Sequence, residues 1–390
     1  MLLAAGPVIG GTLTHLDYVL AYTDPAEFEV HLAVSSLHHP SVRARLDEWR
    51  KAGWTVHDMP MHREVNPYRD AAAFRRLARL CLRERFDLVH THCAKAGLLG
   101  RAAARLSGAG TVHTPHVFPF GREGAAPEAL YLALEQMAAG WTDRLVLLSR
   151  YQVNLVVRHK LIPLERTVLI PNGIDPERFE GSSRRVAREA LGIGQDEPVA
   201  LALGRVCEQK GLNVLLDAMG SLKGRGLHLR LFIVGSGDLE ARLGRRLERL
   251  GLAPWVTMVG MTEAVQPYYA ACDLVLLPSR FEGMPYVILE AKAAARPVAV
   301  SLVSGMEEFV RHAEDGFLVR PGDAEAWAQV LAFMVKRPEA LRCAGRCARG
   351  SLRPEWHARH CVGRLQALYR ELLAERKERS PAAPPGDRRI

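Results

Sequence analysis

The sequence predicts an α/β protein made of two doubly wound halves that face one another across a cleft. Three observations carry that expectation. Short apolar, β-branched runs alternate with helical stretches from one end of the chain to the other. The alternation stops and restarts around "IPNGIDPERFEGSSRRVAREALGIGQDEP", where Pro, Asn-Gly, Gly and charged residues crowd together without a buried-strand pattern. Finally, 390 residues exceed what one ordinary hydrophobic core organises.

In the first half the strand candidates run in order "MLLAA", "EVHLAVS", "TVHDM", "DLVHTH", "GTVHT", "RLVLLS" and "TVLIP". Helical patterns such as "HPSVRARLDEWRKAG" and "PEALYLALEQMAAG" lie between them. After the break the cycle resumes with "PVALAL", "LRLFIVG", "WVTMVG", "DLVLLP" and "RPVAVS". The expected organisation is a first Rossmann-like half over residues 1–175, a second over 196–354, a terminal helix over 355–378 and a loose, disordered tail over 379–390. The terminal helix places Cys361, Leu365, Leu368 and Leu372 at helical spacing, so it must pack on something, and either half could supply the surface.

Hydrophobic residues at 48% and charged residues at 24% are the proportions of a globular protein and set disorder aside for nearly the whole length, the tail excepted. The net charge of +9, carried mostly by arginine, suits anionic partners: phosphates, nucleotides, nucleic acid or an acidic membrane surface. Charge alone does not choose among them. Seven scattered cysteines argue against a disulfide framework and for a reducing, cytoplasmic setting. The closest pair, Cys343 and Cys347, lacks a second pair at metal-ligand spacing. The opening "MLLAAGPVIGG" has no basic leader and is too short to span a bilayer, so it reads as a first buried strand running into a glycine turn.

Ligands of open parallel sheets bind beyond the carboxyl ends of the strands, so the residues just after strands are the candidates. After "VALAL" comes "GRVCEQKG": Arg205 and Lys210 between Gly204 and Gly211, at the start of a helix. Two cations beside free backbone donors would cradle a diphosphate; as a plain βα loop the same residues are a basic surface turn. "GSGDL" lets a base or ribose approach Gly235 and Ser236, while Asp238 reads as a helix cap. Near the amino terminus Gly10 and Gly11 either admit a ligand against the backbone or simply permit a tight turn. His113 and His116 stand at and just after the end of a strand, where a histidine is either solvated or functional.

The stretch "SRFEGMPYVILEAKAAARPV" sets Glu282 in a loop after a strand and Glu290 in the helix that follows, with Pro285 suited to the first helical turn. A loop carboxylate can accept from sugar hydroxyls, and Glu290 can chelate a vicinal diol such as a ribose. The free amides of Gly283 and Met284 would face an anion or a hydroxyl. A helix-terminal charge and a solvated face residue are the plainer readings, although Ile288, Leu289 and Ala291 around Glu290 speak against the second.

Taken together, "VIGG", "DLVHTH", "HTPH", "IPNGID", "GRVCEQKG", "VGSGDL" and "FEGMPYVILEA" resemble the family four glycosyltransferases of the GT-B fold, over roughly residues 5–378. The resemblance implies a retaining transferase with a UDP- or GDP-sugar co-substrate, no metal and no other cofactor. It implies that the first half binds a carbohydrate or lipid-linked acceptor and the second the donor, with the terminal helix crossing back to the first half, and it implies no nucleic-acid partner. It assigns the diphosphate to Arg205 and Lys210, the ribose to Glu290, the transferred sugar to Glu282 beside Gly283, Met284 and Pro285, and places His116 near the sugar and Gly11 near the phosphates. One departure stands out: "SGMEEFV" has Glu307 where many members have the proline of a Gly-x-Pro-Glu segment. The expected role is surface polysaccharide or glycolipid assembly, in the cytoplasm or at the inner face of the cell membrane. Its rivals are a GT-B epimerase or phosphorylase, and a non-catalytic sugar-nucleotide-binding peripheral membrane protein. An arginine-rich helix, "YRDAAAFRRLARLCLRERF", is a candidate for contact with anionic lipid or simply a cover for the first sheet.

Overall fold

A computed structural model describes residues 1–6, 10–37, 39–120 and 128–379. Apart from Arg379, the tail expected over 379–390 lies outside the described residues, as do Val8 and Ile9 of "VIGG".

Every run read as a strand from the sequence forms one. The first half holds β1 (Leu2–Ala5), β2 (His31–Val34), β3 (Thr55–Asp58), β4 (Leu88–His92), β5 (Gly110–Thr114), β6 (Arg144–Leu147) and β7 (Thr167–Leu169). The second holds β8 (Val199–Leu203), β9 (Arg230–Val234), β10 (Val256–Gly260), β11 (Leu274–Leu277), β12 (Val298–Ser301) and β13 (Gly316–Val319). The sheets run β3-β2-β1-β4-β5-β6-β7 and β10-β9-β8-β11-β12-β13, and all their pairings are parallel. In each, the strand order reverses beside the first strand, between β1 and β4 and between β8 and β11, which opens a crevice at the carboxyl ends. The edge strand β13 was not anticipated: "GFLV" is four residues long, begins with glycine and follows the charged run "RHAED". Its glycine is required by packing, since a Cβ at Gly316 would stand 2.3 Å from the carbonyl oxygen of Val298.

The central strands of both sheets are buried on both faces, as helices on two sides demand, while β3, β7 and β10 toward the edges are partly exposed. Leu3, Ala5, Leu32 and Val34 serve one core cluster of the first half, and Leu2, Ala4, Ala33 and Val89 the other. The helix Ala358–Arg379 packs on the first of these through Cys361, Val362, Leu365, Leu368, Tyr369 and Leu372, so the first half supplies its surface. The chain passes between the halves twice, at one place. Ile174 N donates to Trp356 O (2.8 Å) and Ala358 N to Ile174 O (3.0 Å). A Cβ at the adjoining Gly173 would lie 2.7 Å from Ala358 Cα, so only glycine lets the two strands of the crossing meet.

Candidate functional site

In the second half three loops stack backbone on backbone beneath the crevice. A Cβ at Gly235 (φ +134°) would fall 2.1 Å from Gly204 O, and one at Gly211 (φ +61°) 2.2 Å from Pro278 O. Both glycines are therefore demanded twice, by a left-handed backbone and by contact. Val206 N donates to Ser236 O (3.0 Å), tying the loop after β8 to the loop after β9. Asp238 is not the cap expected of it. The helix Glu240–Arg249 begins later, and the Glu240 carboxylate turns back to accept from Gly237 N at 2.6 Å. Pro285 likewise stands one position outside the helix Tyr286–Ala293, as its extended cap.

These loops bring Lys210 and Glu282 together. Lys210 Nζ donates to Glu282 Oε1 at 2.7 Å, and Ser279 Oγ donates to the same oxygen at 2.6 Å. The side chains are 14% and 7% exposed, so the pair lies in a medium where each charge needs the other. Glu290 accepts from Tyr269 Oη at 2.6 Å. Burial raises its carboxyl above the ordinary range, offset by the Tyr269 hydrogen bond and by the charges of Arg178 and Lys210. The ammonium of Lys210 thus acts on both carboxylates. Arg205 Nη2 donates to Gln209 Oε1 (3.0 Å), and Gln209 Nε2 to Phe281 O (3.1 Å), which sets the arginine over the loop that carries Glu282. Its charge also reaches across to Cys93, whose thiol burial pushes up to about 11.

The first half meets this constellation closely. The loop carbonyl of His116, a residue held at φ +57°, lies so near Gly283 that a Cβ there would approach to 1.8 Å. Gln152 Nε2 donates to the same carbonyl at 2.9 Å. Asn172 Nδ2 donates to Met284 O at 2.7 Å, so the Met284 carbonyl is held by the opposite half. Gly11 opens the helix Gly11–Tyr22 against the ring of Tyr286, at 3.2 Å from where its Cβ would be. The structure therefore gathers Gly11, His116, Glu282, Gly283, Met284 and Pro285 at the seam between the halves. Lys210, Arg205 and Glu290 lie on the second half beside it, and Gly235 and Ser236 in the loop below.

His113 is a core residue. Its Nδ1 meets Thr91 Oγ1 at 2.9 Å, and its ring fills the space that Gly97 leaves open. The "SGMEEFV" departure is also resolved. Met306–Glu308 form a single 3-10 turn with Glu307 exposed, and Glu308 accepts from Arg150 N (2.8 Å) and Tyr151 N (2.7 Å), capping the helix Arg150–Arg158 of the opposite half.

Two members of the neighbourhood went unread. His92, the last residue of β4, places Nδ1 3.2 Å from His116 Nε2, and His15, on the first helix, packs on both rings with centroids at 5.2 and 5.0 Å. Burial lowers the His15 imidazole to about 4 and holds His92 and His116 well below the usual value, so all three are neutral at pH 7. The strand-end rule that selected His116 applies equally to His92. His15 sits one helical turn after Gly11, a spacing that carries no signal without the fold.

Comparison with known proteins agrees with this geometry. Residues 9–178 match the family model described as Glycosyltransferase Family 4, and residues 197–337 the one described as Glycosyl transferases group 1. The chain is 32% identical to a D-inositol 3-phosphate glycosyltransferase of Saccharomonospora viridis, over 74% of this chain and 71% of that protein. It is 28% identical to the UDP-Gal:alpha-D-GlcNAc-diphosphoundecaprenol alpha-1,3-galactosyltransferase of Escherichia coli, over 80% and 83%. Among solved structures, Anabaena Alr3699/HepE in complex with UDP-glucose shares the fold with a TM-score of 0.79 at 19% identity, covering 95% of this chain and all (100%) of that one. WaaG, a glycosyltransferase involved in lipopolysaccharide biosynthesis, aligns with a TM-score of 0.76 at 18% identity, over 94% and 99%. A two-sheet fold, a seam of glycines between its halves and two family matches that together run along both of them lead to one conclusion: the chain belongs to glycosyltransferase family 4 and is a glycosyltransferase of the GT-B fold.

Proposed function

We propose that this enzyme transfers a sugar, with retention of anomeric configuration, from a UDP- or GDP-sugar held by the second half to a hydroxyl of a carbohydrate or lipid-linked acceptor held by the first. The reading rests on Lys210, set 2.7 Å from Glu282 and within electrostatic reach of Glu290 at the carboxyl ends of β8 and β11. A cation between two carboxylates suits a ligand that carries an anionic centre flanked by hydroxyl-bearing rings, which is the layout of a nucleotide sugar. Arg205 and Lys210 would take the diphosphate, Glu290 the ribose and Glu282 the sugar, with Gly235 and Ser236 beside the base. The name of the E. coli relative, with its UDP-linked donor and diphosphoundecaprenol acceptor, supports surface polysaccharide or glycolipid assembly.

In a front-face transfer the C1–O bond to the diphosphate breaks as the acceptor oxygen bonds C1 from the same side, and the acceptor proton passes to a phosphate oxygen. No side-chain nucleophile is needed. The protein supplies positive charge from Arg205 and Lys210 where the leaving group gains negative charge. A small cavity lined by Phe118, Phe120, Tyr151, Phe281 and Glu282 marks where the two halves meet beside the Glu282 loop.

The test is a panel of UDP- and GDP-sugars in EDTA, read by thermal stabilisation, transfer rate and the anomeric configuration of the product by NMR. We expect one donor to give a retained product, at a rate within about twofold of the metal-supplemented reaction, since Arg205 and Lys210 stand in for a metal. An inverted product ends the retaining reading, and turnover abolished by EDTA and restored by magnesium or manganese ends the metal-free one.

Contact with anionic lipid is part of the same proposal. The helix Pro67–Glu84 covers the first sheet with Ala73, Leu77, Leu80 and Cys81, so its apolar face is used by the core, and Phe74 packs partly against it. Leu82 turns outward at 53% exposure. What remains outside is Arg69, Arg75, Arg76, Arg79 and Arg83, with Tyr68 87% exposed. No helix among the described residues is long and apolar enough to cross a membrane; with the apolar face of this one given to the core, its outer face would act on a membrane through charge. Each basic residue contributes about 1 kcal/mol near an anionic surface. Reversing Arg75, Arg76 and Arg79 to Glu should therefore lower sedimentation with phosphatidylglycerol vesicles by roughly 100-fold or more. Failure of the native protein to bind such vesicles at low salt, or equal binding to neutral ones, removes the lipid contact.

A further inference from the structure

At the floor of the seam the rings of His15, His92 and His116 converge, and their ligand atoms all lie within 4.8 Å of one another. This is the one such group of three among the described residues. It draws on three separate elements: the first helix, the end of β4 and the loop after β5. His92 is wholly buried, yet its Nε2 has no hydrogen-bond partner, and neither has His15 Nε2. An unmet donor or acceptor in the interior is unfavourable, and His15, with its Nε2 unpartnered, is the member of the cluster free to take an occupant. His90 behaves differently although its ring lies 4.2 Å from that of His92. Both its nitrogens are engaged, by Tyr369 Oη at 2.6 Å and Thr114 Oγ1 at 2.8 Å, so it forms a wall of the cluster and takes no part as a ligand.

From this convergence we infer that His15, His92 and His116 form a binding site for a borderline divalent cation of the Zn²⁺ type. The donor set is three imidazoles with no carboxylate, which suits zinc, cobalt, nickel or copper and gives magnesium and calcium nothing they prefer. Tetrahedral zinc with bonds of about 2.0–2.1 Å holds its nitrogens roughly 3.4 Å apart. His92 Nδ1 and His116 Nε2, 3.2 Å apart in an imidazole–imidazole hydrogen bond, already stand at about that separation, and a cation there would replace the proton they share; a ligand atom of His15 lies within 4.8 Å of theirs. Three protein ligands leave the fourth position for water or another small ligand, as in zinc sites that are not purely structural. A narrow cavity lined by His15, Tyr18, Gly173 and Tyr286 adjoins the cluster. The site does not depend on which nucleotide sugar the enzyme uses, nor on whether the donor assignment is right.

Two exposed cysteines, Cys343 and Cys347, stand one helical turn apart and would compete for the same metals. The experiment therefore uses the full chain carrying Cys343→Ser and Cys347→Ser, titrated with Co²⁺ and Zn²⁺ and measured by equilibrium dialysis and visible absorption. We expect one equivalent of Co²⁺ with d–d bands of a low-coordinate, nitrogen-ligated ion and no thiolate charge-transfer band, displaced by Zn²⁺ and indifferent to excess Mg²⁺. His15→Gln and His92→Gln should each lower affinity by at least about tenfold, since loss of a direct ligand exceeds the 10–100-fold range of outer-sphere changes at its lower end. His15, at the edge of the cluster, provides a variant that tests the site should His92→Gln fail to fold. Absence of tight Co²⁺ binding in the chain carrying Cys343→Ser and Cys347→Ser overturns the inference, and so does binding that His15→Gln leaves unchanged.

Discussion

Acidification from about pH 7.5 to 5.5 is expected to lower the melting midpoint of the first half by roughly 10 °C or more. His15, His90, His92, His113 and His116 are all buried there, and burial is the largest cause holding each imidazole below its ordinary value of 6.5, to about 4 for His15 and well below for the others. A histidine depressed in the fold contributes stability that is fully present above 6.5 and is lost as pH falls toward the folded value. In that window the unfolded chain takes up protons that the native protein refuses. Each such group costs about 1.4 kcal/mol per pH unit once pH is below 6.5. Several acting together reach the 5–15 kcal/mol that holds an ordinary domain within about one to two units. Circular-dichroism melts between these pH values measure the effect, and His15→Gln should flatten the slope by close to one proton. A midpoint that stays level down to pH 5.5 would mean that the cluster takes up protons in the fold, and the neutral-core account fails.

The sequence was readable wherever one residue type in one position has a single physical meaning. Central parallel strands buried on both faces write themselves as continuous apolar runs, and the partly exposed β3, β7 and β10 still keep β-branched residues at their cores, so twelve runs became β1 to β12. The glycines of "GRVCEQKG" and "VGSGDL" marked the strand ends because loops that stack at the 2.1 and 2.2 Å approaches of Gly235 and Gly211 exclude any side chain. What escaped were features that exist only between segments. "GFLV" has the composition of a strand but sits at an edge, with no flanking run to announce it. Glu308 looks like one more acidic residue until the helix Arg150–Arg158, some 150 positions away, presents its free amides to it. The histidine cluster belongs to the same class. Each ring is unremarkable in its own segment, and only the β1-β4-β5 order brings residues 15, 92 and 116 to one place.

Glu282 and Glu290, eight positions apart in sequence, are expected to answer differently to the same substitution. Glu290 makes contacts with a ribose that are equal in ground and transition states, so Glu290→Gln should weaken both nucleoside diphosphate and nucleotide sugar, with little further change in turnover. Losing a charged hydrogen bond of this kind costs roughly 1.5 to 3 kcal/mol, or about 10- to 100-fold. Glu282 faces the other way energetically. The sugar gains positive charge as its bond to phosphate breaks, so removing the carboxylate should lower turnover by a similar factor. The pairing adds a second consequence. Lys210 Nζ is held by Glu282 Oε1 at 2.7 Å in a site where both side chains are nearly buried. In Glu282→Gln that ammonium loses its charged partner, and an entering diphosphate becomes the group that neutralises it. Affinity for the bare nucleoside diphosphate should then hold or rise while transfer falls, the opposite of what Glu290→Gln does. Calorimetric titration of both variants with nucleoside diphosphate, set beside kcat and KM for transfer, separates the two. If Glu282→Gln weakens the bare nucleotide as much as Glu290→Gln, Lys210 does not exchange one anion for another, and the division of the carboxylates between sugar and ribose is wrong.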